Sequence, residues 1–320
     1  MKQSLPARMR GMVTGPLRIL CALVALVLAG TTAAPAAMAE SGRRLVLGRI
    51  SNEPHKHMEQ MRAMAGYLAE QLADQGVSGV DVVFAESPTR MLGLLHEGRI
   101  DLFSETAFVA LEFISANMAK PLLREWKKGA PEYHSVILVR RDSGLTALSE
   151  LVGGKFAFED SGSTSGYLMP RAALEEAGLQ LAALTDPRNP TPDNMLGYGF
   201  AQGEINVIAW VNRGLADAGA ISNLDWEDPD TAPARLKDEL HILHETEPVI
   251  RSLFMARRSL DDELCARISA LLEHMHESPE GRAVLKKYYK VARYDRIEGD
   301  ARTGLEAARA IWRRHREHSD

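Results

Sequence analysis

The segment Glu159-Asp160-Ser161-Gly162-Ser163-Thr164-Ser165-Gly166-Tyr167-Leu168-Met169-Pro170 gathers small hydroxyl residues and glycines at one place in the chain. It follows a short apolar run, Lys155–Glu159, and leads into helical spacing over about Ser165–Ala177, with Gly178 as the stop. A turn from strand into helix leaves backbone N–H groups free, and the helix dipole adds partial positive charge, so such a turn attracts anions. Ser163, Thr164 and Ser165 would aim three hydroxyls at the same place, on a turn kept open by Gly166. A tetrahedral oxyanion of phosphoryl size can meet several of these donors at once, which a planar group cannot. Ordinary helix capping competes with this reading but accounts for only one of the three hydroxyls. A nucleophile elbow of the G-x-S-x-G type is the other competitor. Here Gly162 and Gly166 bracket Thr164 instead of a serine, and no downstream His and Asp are marked as partners. An exported hydrolase is the weaker expectation, and no catalytic residue is assigned.

Arg251 lies at the end of an expected inter-lobe strand, where a guanidinium could clamp an oxyanion through two hydrogen bonds. A surface arginine among Glu245, Glu247, Arg257 and Arg258 is the alternative. Tyr133 and His134 precede a long apolar run and could line a cleft. His55 and His57 sit in the first strand-to-helix loop and could join His96 or His134 around a metal, but i, i+2 spacing on a loop is no ligand signature. His55 is placed at the cleft mouth instead, and neither metal nor cofactor is expected.

The elements that must position these residues are an alternating series. Arg44–Ile50, Val80–Ala85 and Ile100–Phe103 read as strands, with helical spacing after each. Ser87-Pro88 opens the second helix, and the third covers Thr106–Met118. A second series follows: a long strand Tyr133–Arg140, a short helix near Leu145–Leu151, the strand Lys155–Glu159, a proline-rich loop over Thr185–Asp193, a helix over 203–213 and a strand Ala216–Ile221. Leu240–Glu245 and Ser252–Ala256 are two further strands, Ser259 with Asp262 suggests a capping box, and Ser278-Pro279 opens another helix. The order argues for α/β architecture in two lobes, each a mainly parallel sheet with flanking helices and with ligands held between the lobes.

The 320 residues carry a formal charge of −5, with 45% hydrophobic and 25% charged content. Residues 1–39 hold four basic and no acidic residues, leaving 34 basic against 43 acidic, or −9, for the remainder. A body this acidic is no partner for nucleic acid, which draws on clustered Lys and Arg. Residues 1–39 read as a cleavable secretory signal, with a basic start, the apolar run Ile19–Gly30 and the small-x-small pattern Ala37-Met38-Ala39. Cys21 sits too early in that run, three residues after Arg18, for lipid attachment. Cys265 then remains alone, beside the apolar stripe of a helix, so packing explains it better than catalysis. A periplasmic protein is expected.

With these residues set out, the chain resembles a known family. Tyr133-His134-Ser135-Val136-Ile137-Leu138-Val139, Asp142-Ser143, Leu148 through Gly154-Lys155-Phe156-Ala157-Phe158, and Ser163-Thr164-Ser165-Gly166-Tyr167-Leu168-Met169-Pro170 follow one order. This order is similar to the phosphate/phosphite/phosphonate-type periplasmic substrate-binding proteins of ABC transporters, and a looser likeness extends from about Leu45 to Ala292. The resemblance implies a two-lobed fold of the type II kind closing on a phosphorus oxyanion, gripped by Ser163, Thr164 and Ser165, and delivery to an inner-membrane ABC permease without turnover. It also draws attention to Glu105 and Thr106, where the family commonly has an aromatic residue. Glu105 would repel a dianion unless paired, or would meet an amine on the ligand. No histidine stands near Tyr198–Gln202, where phosphonate binders carry one, and Arg251 stands where they carry an acid. The expected layout is a signal peptide over 1–39, lobe 1 over 40–138 and 245–290, lobe 2 over 139–244, and a helical tail over 291–320, in a monomer. A sensory module of the same fold and an exported metal-binding protein are the alternative functions.

Overall fold

The computed structural model describes residues 42–317. The export signal expected over residues 1–39, with its Ala37-Met38-Ala39 site, lies outside the described residues. The chain begins with β1 (Arg43–Ile50), α1 (Pro54–Gln71), β2 (Val77–Ala85), α2 (Pro88–His96), β3 (Leu102–Thr106), α3 (Ala107–Ser115) and β4 (Ala119–Glu125). It continues with β5 (Glu132–Tyr133), β6 (Ser135–Arg140), β7 (Lys155–Phe158), α4 (Met169–Glu176), β8 (Leu181–Ala183), β9 (Leu196–Phe200), α5 (Glu204–Asn212) and β10 (Ala218–Ser222). Then come α6 (Asn223–Glu227), α7 (Ala234–Lys237) and β11 (Leu240–Glu245). The last elements are β12 (Val249–Ile250), β13 (Ser252–Arg257), α8 (Asp262–His274), α9 (Pro279–Lys287), β14 (Tyr294–Asp295) and α10 (Asp300–Glu317).

Two six-stranded sheets result, in the orders β14-β4-β13-β3-β1-β2 and β11-β6-β10-β7-β9-β8. Each has a parallel part, β2-β1-β3 and β8-β9-β7-β10, whose successive strands are joined mostly by helices, although β8 reaches β9 through the loop 184–195. Each turns antiparallel where return strands join it, as at β3-β13-β4-β14 and β10-β6-β11. Both faces of each sheet are covered. In the first, Leu45, Leu47, Phe254 and Ala256 pack towards α1 and α8, while Phe103, Leu253 and Met255 pack towards α2 and α3. Alternation along buried strands therefore feeds two apolar cores per lobe.

The chain crosses between the sheets twice, and the crossings pair with each other. β5 and β12 form a two-stranded antiparallel ribbon, Tyr133 opposite Val249 and Glu132 opposite Ile250. His134 immediately follows one strand of the ribbon and Arg251 the other. The long strand expected over Tyr133–Arg140 is thus two strands, because the chain changes partners at His134. The His134 N–H donates to Asn223 Oδ1 at 3.0 Å and its carbonyl accepts from the Asn223 N–H at 3.0 Å. We place the division between lobes at this ribbon.

Several expected boundaries move. Ala119–Glu125, β8 and β9 are strands that apolar patterning does not reveal. The cap of α8 is Asp261, whose carboxylate accepts from the Leu264 N–H at 2.9 Å, and not Ser259, which accepts from Arg257. Ser87 and Ser278 cap their helices as the sequence suggests. The described part of the expected helical tail, residues 291–317, is more than a tail, since β14 joins the first sheet and α10 packs on the ribbon, α3 and α4.

Gly304 is what lets α10 approach the ribbon. A Cβ there would stand 3.0 Å from the Ile250 nitrogen and 3.1 Å from Glu132 Oε1. Beyond Gly304 the helix reaches the other lobe, where Arg314 pairs with Glu176 and His315 lies 6.1 Å from the Tyr167 ring. Gly304→Leu should therefore lift the helix and cost about 2 kcal/mol, a fall in Tm of roughly 4–8 °C by differential scanning calorimetry. An unchanged Tm would mean that α10 does not depend on this approach.

Candidate ligand-binding site

The strand β7 ends at Phe158, and residues 159–163 form a loop before a single π-type turn, Thr164–Leu168, that runs directly into α4. The Leu168 N–H donates to the Ser163 carbonyl at 3.0 Å, which closes the wide turn. Asp160 accepts from the Gly162 N–H at 2.7 Å, and Ser163 Oγ accepts from the Gly166 N–H at 2.9 Å. Ser163 is therefore the helix cap, the role that capping preference assigns to one of the three hydroxyls. Its own proton goes to Glu159 Oε2 at 2.6 Å. Gly166 is required here because a Cβ would fall 2.5 Å from the Glu159 Cβ.

The neighbouring residues are free for other work. The N–H groups of Thr164 and Ser165 open the turn and have no partner within it. The Thr164 side chain is buried, and its hydroxyl makes no hydrogen bond of ordinary geometry, although it lies near enough to Tyr133 to favour the phenolate slightly. The Ser165 carbonyl accepts from Ser135 Oγ at 2.7 Å, which ties the turn to β6.

These groups line a cavity of about 370 Å³ that both lobes build. The first lobe contributes Ile50 from the end of β1, Glu105 and Thr106 from the end of β3, and Lys127 from just beyond β4. Tyr133 and Arg251 come from the ribbon and its edge, and the second lobe adds Glu159, Asp160, Ser163, Thr164, Ser165, Glu204, Ser222 and Asp225. Strand C-terminal ends thus face the cavity, as the α/β topology requires. Ser222 caps α6 by accepting from the Asp225 N–H at 3.0 Å and also hydrogen-bonds the Asp225 carboxylate, so that carboxylate is fixed.

Of the residues expected at a site, Ser163, Thr164, Ser165, Glu105, Thr106, Tyr133 and Arg251 are brought together in this wall. Gly166 stands behind it, under Glu159. His134 is at the ribbon edge, with Nε2 3.5 Å from Glu245, outside the cavity wall. His55 is exposed on the first turn of α1, which begins at Pro54, so His55 and His57 are helical instead of in a loop. Among the described residues, no group of three or more His, Cys, Asp or Glu side chains converges as a metal site. Lys127, Glu204 and Asp225 escape sequence reasoning altogether, because each comes from a separate segment with no local motif.

The electrostatics of the wall are mixed. Burial pushes the Glu105 carboxyl up to about 7, against the pull of Arg49 and Lys127 and a hydrogen bond from the Ile50 backbone. Burial also raises Glu159 to about 8, with Glu204 and Asp160 adding repulsion and the Ser163 hydroxyl opposing it. Lys127 and Arg251 are both lowered, chiefly by the cost of removing their charge from water. Arg251 is held by a hydrogen bond to the Lys127 carbonyl, and its guanidinium lies 5.8 Å from the Tyr133 ring centre. Tyr133, pushed up to about 12 by burial, stays protonated and can donate. Two cations and two carboxyls that hold their protons towards neutral pH thus face the open hydroxyls and N–H groups of Thr164 and Ser165.

Comparison with known proteins places this geometry in context. The phosphate-import protein PhnD of Mycolicibacterium smegmatis is 27% identical over 232 residues, 68% of either chain. The phosphonates-binding periplasmic protein of Escherichia coli is 24% identical over 263 residues, 80% of this chain and 73% of that one. XAC2383 from Xanthomonas citri, solved once bound to chloride ion and once bound to ATP, superimposes with a TM-score of 0.80 at 31% identity, covering 86–87% of this chain and 99% of its own in the two structures. Residues 47–301 match the family model described as the phosphonate periplasmic substrate-binding protein of ABC transporters, and with most of the chain inside that match, the protein belongs to this family of extracytoplasmic solute-binding components of ABC importers.

Proposed function

We propose that the protein binds a phosphorus oxyanion, a phosphonate or a phosphate ester, between its lobes and presents it to an inner-membrane permease without chemical turnover. The observation that carries this reading is the Thr164 hydroxyl. It is buried in the cavity wall without an ordinary hydrogen-bond partner, and an unpaired buried hydroxyl costs free energy unless a ligand satisfies it. A tetrahedral oxyanion would take that hydroxyl, the N–H groups of Thr164 and Ser165, and the Tyr133 hydroxyl from one side. Lys127 and Arg251 would meet its remaining oxygens from the other. Support comes from the relatives, whose names cite phosphate, phosphonates and ATP, ligands that share phosphoryl oxygens. We place the protein in the periplasm, exported by the cleavable signal over residues 1–39 and working as a monomer. Glu105 and Glu159 do not oppose the anion while they hold their protons, and ionised they would face an ammonium on a zwitterionic ligand.

Isothermal titration with methylphosphonate and inorganic phosphate tests the reading. Thr164→Val keeps the shape and removes the hydroxyl, and should weaken binding by about tenfold, the worth of one lost hydrogen bond to a charged group. Wild-type protein that binds no phosphorus anion at micromolar concentrations would refute the assignment.

The pH dependence is a separate check. Glu105 and Glu159 ionise as pH rises through about 7 and 8, adding negative charge beside the anion. The ratio of wild-type to Glu159→Gln dissociation constants for methylphosphonate should rise about tenfold between roughly pH 6 and pH 9, with the ligand's own titration cancelling in the ratio. The same raised carboxyl means that the folded state binds more protons than the unfolded chain. Apo stability should therefore fall as pH climbs from the ordinary carboxylate range to about 8, less steeply in the variant. A ratio flat with pH would show that Glu159 does not titrate beside the ligand.

A further inference from the structure

We infer that the ligand carries a flat aromatic or heteroaromatic substituent, held in a second compartment that adjoins the oxyanion cavity and is walled by α10. The inference rests on the phosphorus-anion reading and narrows it to a substrate class. A second cavity of about 300 Å³ shares Pro88, Val109 and Gly162 with the first. Gly162 has no side chain to block the way between them, and it belongs to the same loop that leads to Ser163, so a phosphoryl group held at the turn would carry its substituent past this point.

The compartment combines apolar walls with a polar set, Ser161, Glu112, His315 and Arg316. Phe108 from α3, Leu168 from the π-type turn and Trp312 from α10 supply its apolar faces, one from each of three elements. Trp312 stands out on α10, a helix with charged residues along most of its length, because its indole is only half-buried and forms part of the cavity wall. A half-buried indole presents a broad flat face on which a ring can stack. Polar groups stand at one side. Glu112 is raised by burial and held down by the opposing charge of Arg316, whose guanidinium lies over the Trp312 ring, 5.4 Å from its centre, so a ligand ring would stack beside it or displace it. A carboxyl acceptor and a guanidinium donor beside a stacking face suit a ring with hydrogen-bonding edges, such as a nucleobase. An alkyl chain would satisfy neither. Inorganic phosphate or phosphite would leave the compartment unused, so the wall contributed by α10 is what separates these ligands from an aryl or nucleoside ester.

The test is isothermal titration of the purified protein with methylphosphonate, phenylphosphonate and adenosine monophosphate, repeated on Trp312→Ala and Trp312→Phe. Stacking of the size measured for a base on an aromatic side chain predicts that the ring-bearing ligands bind about tenfold or more tightly than methylphosphonate to the wild-type protein. That preference should vanish in Trp312→Ala and persist in Trp312→Phe, which keeps a ring and the apolar contact of α10. Because each preference is a ratio within one variant, a general loss of stability does not imitate it. Wild-type protein that binds methylphosphonate and the ring-bearing ligands equally, or a preference that survives Trp312→Ala, overturns this inference and leaves the oxyanion reading standing. Failure of every phosphorus anion to bind overturns both.

Discussion

The buried guanidinium of Arg124 is the joint from which the architecture hangs. Its side chain is 4% exposed, and a charge taken that far from water must be paired and hydrogen-bonded. Asp295 holds it through two bonds at 2.9 and 2.7 Å, Asp300 through one at 3.0 Å and Glu132 through one at 3.2 Å. Those carboxylates come from β14, the first turn of α10 and β5. One side chain therefore fixes the last strand of the first sheet, the start of the terminal helix and the entry to the ribbon. Deleting the guanidinium would leave the mostly buried Glu132 and Asp295 carboxylates without their main counter-charge, whereas the exposed Asp300 would be screened by water.

The neighbouring residue on β4 points to the other side of the strand, behind the cavity. Glu125 accepts from Ser104 at 2.7 Å, Ser252 at 3.1 Å and Tyr294 at 3.2 Å, so a buried carboxylate is saturated by three hydroxyls behind the cavity. Its charge acts on Lys127 and Glu105 in front. The cavity as a whole carries more carboxyls than cations, yet burial leaves two of them neutral near the middle of the pH range. A site with acids in its wall can in this way accept an anion, and its affinity becomes a function of proton concentration.

Much of this could be read from the chain. The βα alternation, the caps at Ser87 and Ser278 and the hydroxyl block at Ser163–Ser165 are local signals, set by residues within a turn of one another, and the structure contains all of them. The failures are of another kind. Ala119–Glu125 hides as a strand because Lys120, Pro121, Arg124 and Glu125 break its apolar pattern, and its two buried charges make sense only with partners up to 176 residues away. Tyr133–Arg140 looks continuous because nothing local records the change of sheet at His134. Arg251 and Tyr133 were reachable from their own chemistry and position and Glu105 through a family pattern, whereas Lys127, Glu204 and Asp225 are brought in only by the folded arrangement. Local chemistry is legible in sequence, and convergence in space is not.

The position of α10 on the ribbon also sets a lever arm. Gly304 touches the ribbon and Arg314 pairs with Glu176 on the second lobe, ten residues or about 15 Å further along the helix. A swing of ten degrees about the ribbon moves a point at that distance by about 2.6 Å, enough to part an ion pair, while Gly304 at the fulcrum scarcely moves. The helix is thus clamped where rotation is small and latched where rotation is large. Parting of the lobes would be felt first at this distal ion pair, which is half-exposed and adds little resistance of its own, so the helix registers the swing more than it restrains it.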